Sequence, residues 1–345
     1  MSLSSIIHPN NPTFIIAEIG VNHNGSMTLA KELIDAAVYA GADAVKFQMF
    51  HTEELTTAQA DLADYQKKTN ENNQYDMLKK LELSGSEFAE LKAYCDQKHI
   101  LFLATPFDIQ SVDFLDQLGM SMFKVGSGDL TNFPLLKRIA QTNKPMILST
   151  GMSTTDEIDH TLSYLTSLNP TMSISILHCT SSYPAPESQL NLRVISEYIK
   201  RYPHVIGYSD HSVGIHVPIA ATALGAKMIE KHLTLDRSLP GPDHAASITA
   251  QECKRMVECI RLTEQALGTR KKELTEDEKA IKPLVRRGLY MREDVAIDTV
   301  LTEKHLIALR PLASIEANQL ENVIGKVVKT AKKKHEPLQW SDFYE

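Results

Sequence analysis

Between residues 12 and 235 the chain repeats one unit eight times, a short apolar run followed by a stretch of helical character. The runs are Phe14-Ile15-Ile16-Ala17, Ala44-Val45-Lys46-Phe47-Gln48, Ile100-Leu101-Phe102-Leu103-Ala104 and Met122-Phe123-Lys124-Val125. Pro145-Met146-Ile147-Leu148, Ile174-Ser175-Ile176-Leu177, Val205-Ile206-Gly207-Tyr208 and Lys227-Met228-Ile229-Glu230 complete the series. A helix over about Met27–Ala40 closes at Gly41, because glycine takes the left-handed C-cap conformation without a Cβ penalty. Runs this short suit buried strands, and a parallel neighbour is reached only through a crossover about as long as these helices. The pattern predicts a closed (β/α)8 barrel, a TIM barrel, over residues 1–267.

In such a barrel the chemistry collects where the strands end. The first run leads into Glu18, the second carries Lys46 and Gln48, and the third leads into Thr105. The fourth carries Lys124 and leads into Gly126-Ser127-Gly128-Asp129, the fifth into Ser149-Thr150, and the sixth into His178-Cys179-Thr180-Ser181-Ser182-Tyr183. The seventh leads into Ser209-Asp210-His211 and the eighth into Glu230, Lys231 and His232. Turns at the opposite ends, such as Ala40-Gly41-Ala42-Asp43 and Leu224-Gly225-Ala226, are small and bland.

An unpaired ammonium inside an apolar run is costly. Lys46 and Lys124 therefore either reach solvent or a carboxylate, or face an anionic ligand such as a phosphate with a carboxylate. His211 and His232 come from neighbouring strand ends and can share one divalent ion, with carboxylate, water or substrate oxygen completing its shell. His216 begins the next helix and stands outside that set. Gly126-Ser127-Gly128 can bring backbone N–H groups against an anion. Pro240-Gly241-Pro242-Asp243-His244 forms a rigid turn that carries an acid and an imidazole above the eighth strand.

Composition narrows the class. A net charge of -7 and a pI near 6.0 leave no nucleic-acid footprint. No run approaches the roughly 20 apolar residues of a membrane span, and Met1–Pro12 lacks the basic start and apolar core of a secretion signal. Cys95, Cys179, Cys253 and Cys259 form no C-x-x-C pair, so a reducing cytoplasm is expected. After helical character over about Thr249–Leu267, residues 268–284 read as a charged linker. The short runs that follow, Leu289-Tyr290-Met291, Val300-Leu301, Leu306-Ile307-Ala308-Leu309 and Val323–Val328, predict a small β-rich domain over 285–345. The basic run Lys332-Lys333-Lys334 reads as solvated surface.

Taken in order, Ala17-Glu18-Ile19-Gly20-Val21-Asn22-His23-Asn24-Gly25, Val45-Lys46-Phe47-Gln48 and Phe123-Lys124-Val125-Gly126-Ser127-Gly128-Asp129 resemble motifs of the sialic acid synthase family. So do Tyr208-Ser209-Asp210-His211, Glu230-Lys231-His232 and Gly241-Pro242-Asp243-His244. Residues 285–345, with Leu309-Arg310-Pro311, are similar to that family's antifreeze-like SAF domain. The resemblance implies an N-acetylneuraminate synthase. Such an enzyme condenses phosphoenolpyruvate with the open-chain aldehyde of N-acetylmannosamine, adding water and releasing phosphate. In a legionaminic or pseudaminic acid synthase the sugar is a 2,4-diacetamido-trideoxyhexose. The resemblance also implies a domain-swapped homodimer, the SAF domain of one subunit reaching over the barrel of the other.

By the same resemblance, His211 and His232 bind a divalent ion, manganese, with magnesium or cobalt as alternatives. Lys46, Thr105, Lys124, Ser127, Ser181 and Ser209 surround phosphoenolpyruvate. Gln48, Asp129, Tyr183, Asp243 and the partner subunit's Arg310 contact the sugar. Glu18 is the acid/base, with Lys46 and Lys124 beside it in catalysis. Ser181 stands where synthases of the N-acetylmannosamine type can carry Asn. Cys179-Thr180-Ser181-Ser182-Tyr183-Pro184-Ala185-Pro186 looks closer to pseudaminic acid synthases, while Gly241-Pro242-Asp243-His244 leans toward the sialic and legionaminic branches. Two other functions stay open: a Schiff-base aldolase using Lys46 or Lys124 as nucleophile, and a non-catalytic sugar sensor.

Overall fold

The computed structural model describes residues 11–62, 71 and 73–344. The expectation about a secretion signal, drawn from Met1–Pro12, falls mostly on residues 1–10, which lie outside the described residues. The chain divides into two compact units, Met1–Gly268 and Thr269–Glu345. No helix among the described residues is long and apolar enough to cross a membrane.

The first unit is a ring of parallel strands. These are β1 (Phe14–Gly20), β2 (Ala44–Met49), β3 (Leu101–Pro106), β4 (Phe123–Val125), β5 (Met146–Ser149), β6 (Ile174–Cys179), β7 (Val205–Asp210) and β8 (Met228–Thr234). They pair in the order β3-β2-β1-β8-β7-β6-β5-β4, and β3 and β4 lie side by side where the ring comes round. Helix α1 (Met27–Ala40) matches its sequence expectation: Ser26 accepts from the Leu29 N–H at one end and Gly41, at φ 78°, closes the other. It turns Ala30, Leu33, Ile34 and Ala37 inward.

Several strands run further than their apolar runs: β1 reaches Gly20, β6 reaches Cys179, β7 reaches Asp210 and β8 reaches Thr234. The cause is the period-two alternation of strand side chains. Phe14, Ile16, Ala44, Leu103, Met122, Ile147, Leu177 and Met228 fill the inside of the ring. Ile15, Ala17, Ile19, Val45 and Phe47 point the other way, into the larger core against the helices. One step further along the inner face come Glu18, Lys46, Thr105, Lys124, Ser149, Cys179 and Glu230, so apolarity ends before the ladders do. Each fully buried large apolar side chain contributes roughly 1.5–3 kcal/mol. The lower interior is therefore packed core, and only the upper layer is available for chemistry. Gly207 belongs to this interior, because a Cβ there would lie 2.6 Å from the Met228 carbonyl oxygen.

The second unit has its own core of Leu289, Met291, Val295, Leu301, Leu306, Ile315, Val323, Val328, Leu338 and Phe343. Its strands β9 (Gly288–Met291) and β10 (Leu306–Leu309) pair antiparallel. Part of the segment expected as a linker is helical, α2 (Glu276–Val285), started by a reciprocal cap between Thr275 and Glu278 that the density of charge obscured. The reading of Lys332-Lys333-Lys334 as solvated surface is corrected at its first residue. Lys332 is buried, with Nζ 2.8 Å from Asp342 and 2.9 Å from Glu336.

Candidate active site

The mouth of the barrel is built from the inward-facing residues at the strand ends. On β1, Glu18 stands opposite Lys46 of β2 and His232 of β8. Between Glu18 and Gly20 the register with β2 shifts, the kind of irregularity that re-aims a strand end. Gly20 takes it up at φ 56°, where a Cβ would press within 3.1 Å of Glu18 Oε1.

Two ammoniums and two carboxylates meet there. Lys46 Nζ lies 2.7 Å from Glu18 Oε2 and 3.8 Å from Glu230 Oε2, and donates to Thr105 Oγ1 at 2.8 Å. Lys124 Nζ lies 3.3 Å from Glu230 Oε1, to which the Ser209 hydroxyl also donates at 2.8 Å. None of the four is more than 4% exposed. Burying such charges is costly, and only their mutual pairing offsets it. Burial pushes the Glu18 carboxyl up to about 7 against the pull of Lys46. Burial pushes Glu230 the same way, but Lys124 and Lys46, with the Ser209 hydroxyl and His232, outweigh it and hold that carboxyl at about 2. Lys124 is pulled below the ordinary lysine value by burial, with Glu230 opposing; Lys46 stays above it because Glu18 and Glu230 overcome burial.

Above this quartet opens a cavity of about 820 Å³. Eleven of the residues singled out from the sequence line it: Glu18, Lys46, Gln48, Thr105, Lys124, Ser127, Ser181, Tyr183, Ser209, His211 and His232. Ser127 accepts from the Gly151 N–H at 3.0 Å. Gly151 is wedged between two hydroxyls, since a Cβ there would stand 2.8 Å from Ser127 Oγ and closer still to Ser181 Oγ.

The imidazoles of His211 and His232 lie 5.5 Å apart between centroids, and the Tyr183 ring packs 4.1 Å from that of His211. His211 Nδ1 hydrogen-bonds the Thr180 carbonyl at 2.8 Å, which leaves Nε2 with the free lone pair. Burial lowers His211, but the Cys179 sulfur 3.8 Å from Nδ1, the Thr180 carbonyl and Glu230 together raise it above its ordinary value, so a metal would compete with a proton there. Burial, reinforced by His211, pushes His232 well below its ordinary value, which keeps it neutral. Among the described residues no group of three or more His, Cys, Asp or Glu is arranged around a metal position. The donor set fits an ion held by two imidazoles with the rest of its shell from water or ligand, and does not fit a closed structural site.

Two expected residues of this unit, Asp129 and Asp243, stand apart from the cavity wall, and a third, Arg310, belongs to the second unit. Asp129 follows Ser127 in a short 3-10 turn and accepts from the Asn132 amide at 2.9 Å. Asp243 is buried beside His232, its Oδ2 3.7 Å from Nδ1, and burial raises its carboxyl to about 6 against the pull of His211 and Lys46. Arg310 is an exposed residue of the second unit, just past β10. Glu230 was passed over as a site residue although it binds both lysines. The signal was its parity: Met228, Glu230 and His232 share one face of β8, while Lys231 points outward to Asp210 at 2.5 Å. An apolar wall also went unread, formed by Phe50, Leu55, Leu78, Phe107 and Met152.

Residues 33–272 match the model of the NeuB family, and residues 286–343 match that of the SAF domain. The chain belongs to the NeuB family. It is 43% identical over 318 residues to N,N'-diacetyllegionaminic acid synthase of Campylobacter jejuni, covering 91% of this chain and 95% of that protein. A second N,N'-diacetyllegionaminic acid synthase, from Legionella pneumophila, is 42% identical over 90% of this chain and 89% of its own. The crystal structure of N-acetylneuraminic acid synthetase from Leptospira borgpetersenii superposes with a TM-score of 0.72 at 37% identity, covering 79% of this chain and 90% of that one. Like these NeuB-family synthases, the protein is an enzyme.

Proposed function

We propose that the protein condenses phosphoenolpyruvate with the open-chain aldehyde of an N-acetylated amino sugar to give a nonulosonic acid. The observation that carries this is the pair of buried ammoniums, Lys46 and Lys124, facing one cavity with the imidazole pair. C3 of phosphoenolpyruvate bonds to the aldehyde carbon, whose oxygen takes a proton. Water adds at C2, and the C2–O bond breaks to release phosphate, leaving the 2-keto acid. Lys46, Lys124, Thr105, Ser127, Ser181 and Ser209 bind the phosphate and carboxylate, with charge in place before reaction. Glu18, at about 7, holds or releases a proton near neutrality and orients the water. His211 and His232 would hold a divalent ion, manganese by the family resemblance, which supplies Lewis-acid polarisation of the aldehyde. Gln48 and Tyr183 from the cavity, Asp129 and Asp243 from beside it, and the partner subunit's Arg310 in a homodimer, would receive the sugar.

The sugar we assign is a 2,4-diacetamido-trideoxyhexose of the legionaminic type. Its methyl groups suit the wall of Phe50, Leu55, Leu78, Phe107 and Met152, and the relatives from Campylobacter and Legionella carry that name. N-acetylmannosamine is the second reading, favoured by the Leptospira structure. Phosphate release from phosphoenolpyruvate, assayed with both sugars and with N-acetylmannosamine 6-phosphate, tests the proposal. Release with none of them removes the synthase reading, and a higher kcat/KM for N-acetylmannosamine reverses the order.

A further inference from the structure

Two sequence motifs are left without a task by the cavity itself: Asn22-His23-Asn24-Gly25 after β1, and Pro240-Gly241-Pro242-Asp243-His244 after β8. They grip each other. Asn24 donates from Nδ2 to the Pro240 carbonyl at 2.8 Å, and its Oδ1 lies 3.3 Å from His244 Nε2. One amide thus holds both ends of the turn that contains Asp243. Asn22, fully buried, donates from Nδ2 to the Leu233 carbonyl and to Ser247 Oγ, each at 2.9 Å. Ser247 Oγ in turn donates to the carbonyl of Asp243 at 2.7 Å.

His244 ties the two exits through both ring nitrogens: Nε2 lies 3.3 Å from Asn24 Oδ1, and Nδ1 lies 2.7 Å from Thr234 Oγ1, a hydroxyl that also donates to the Asp236 carbonyl at 2.9 Å. Burial pushes His244 down to about 4, which favours the neutral ring near neutrality. Gly241 shows how tightly the parts close, since a Cβ there would stand 2.8 Å from the His244 ring and 2.9 Å from Asn24 Oδ1. Inside this grip, Asp243 Oδ2 stands 3.7 Å from His232 Nδ1, a buried nitrogen with no hydrogen-bond partner among the described residues.

We infer that Asn22, Asn24 and His244 are positioning residues, a clasp between the β1 and β8 exits that sets where Asp243 stands relative to His232. The inference rests on the synthase reading only for what that rim serves. Each such hydrogen bond is a modest contribution against the stability of the whole barrel, larger where a buried partner is left unpaired. Opening two of them therefore displaces a carboxylate without unfolding the barrel.

Asn24→Gly is the informative variant, because Asn24 sits at φ 50° and glycine keeps that backbone while removing both bonds. Asn24→Asp keeps an oxygen beside His244 Nε2 and loses the donor to Pro240. Hydrogen–deuterium exchange of residues 236–247 should rise in Asn24→Gly, with the strands unchanged. Its kcat/KM for the sugar should fall about tenfold or more while KM for phosphoenolpyruvate moves less than twofold, and Asn24→Asp should fall between. Unchanged exchange in 236–247, or equal rises in both KM values, overturns the clasp. A wild-type protein that releases no phosphate with any sugar defeats the synthase reading instead, and the exchange measurement then decides the clasp alone.

Discussion

Glutamine at position 230 keeps the shape of the side chain and removes one of the two negative charges that balance Lys46 and Lys124. At 3.3 Å and 3.8 Å, unit charges attract by about 5 and about 4 kcal/mol at an effective dielectric constant of 20. Lys46 keeps a nearer partner in Glu18 at 2.7 Å, so the loss falls on Lys124. Burial already draws that ammonium below its ordinary value, and Glu230 is the main force against it. The gross attraction overstates the effect, because the variant also escapes the desolvation of a carboxylate. Breaking one side of a buried pair leaves a net cost of about 3–5 kcal/mol. In a unit of this size 1 kcal/mol moves Tm by about 2 °C, so Glu230→Gln should unfold about 6–10 °C below wild type.

Phosphoenolpyruvate makes the test specific. Its phosphate and carboxylate can supply the counter-charge that the variant lacks, so saturating ligand should raise the Tm of Glu230→Gln by more than it raises the wild type's. Scanning calorimetry with and without phosphoenolpyruvate reads both effects. A variant as stable as wild type without ligand, or one with the same response to ligand, would refute the charge-balance reasoning.

Lys46→Ala should fold and lose about 10²–10³-fold in turnover, the scale of removing one preorganised donor; steady-state phosphate release measures it. His211→Ala should keep its circular dichroism spectrum, lose turnover, and bind manganese more weakly by equilibrium dialysis; normal activity after chelation would sink the metal assignment. Gly207→Ala should lower Tm through overpacking worth about 1–3 kcal/mol, with KM unchanged in the protein that remains folded. Borohydride should trap no pyruvate on Lys46 or Lys124, and a covalent adduct seen by mass spectrometry would restore the aldolase reading.

The barrel was legible because eight apolar runs spaced by helices leave little choice of fold, and Gly41 and Gly207 stand where the geometry needs them. The strand ends were read short for a physical reason: polar residues facing the mouth look like loop to a hydrophobicity argument, although their backbones continue the ladder. Glu230 was missed for a related one. It closes an apolar run and neighbours Lys231 and His232, so three ionisable groups in a row look alike until alternation sorts them. Glu230 and His232 then face the cavity, and Lys231 pairs outside with Asp210. The apolar wall draws on Phe50 and Leu55 after β2, on Leu78 of the helix Gln74–Leu81 and on Phe107 after β3. Such a surface is assembled across elements, and no local spacing announces it. The grip between the β1 and β8 exits was hidden too, because partners such as Asn24 and His244 are 220 residues apart.

The sequence left two homes for the lysines, a carboxylate partner or an anionic ligand, and the structure makes these one arrangement. Lys46 and Lys124 are paired with carboxylates and also line the cavity. The resident carboxylates make two buried ammoniums tolerable. An arriving anion must then share those ammoniums with Glu18 and Glu230, which separates the two acids by role. Glu230, held at about 2, stays ionised at any working pH and can only anchor. In the proposed reaction Glu18, at about 7, would take up a proton as negative charge accumulates beside it and return the proton when phosphate leaves. Two carboxylates within reach of one lysine thus differ, because Glu230 pairs with both ammoniums, whereas Glu18 pairs with Lys46 and feels Lys124 only as the smaller pull.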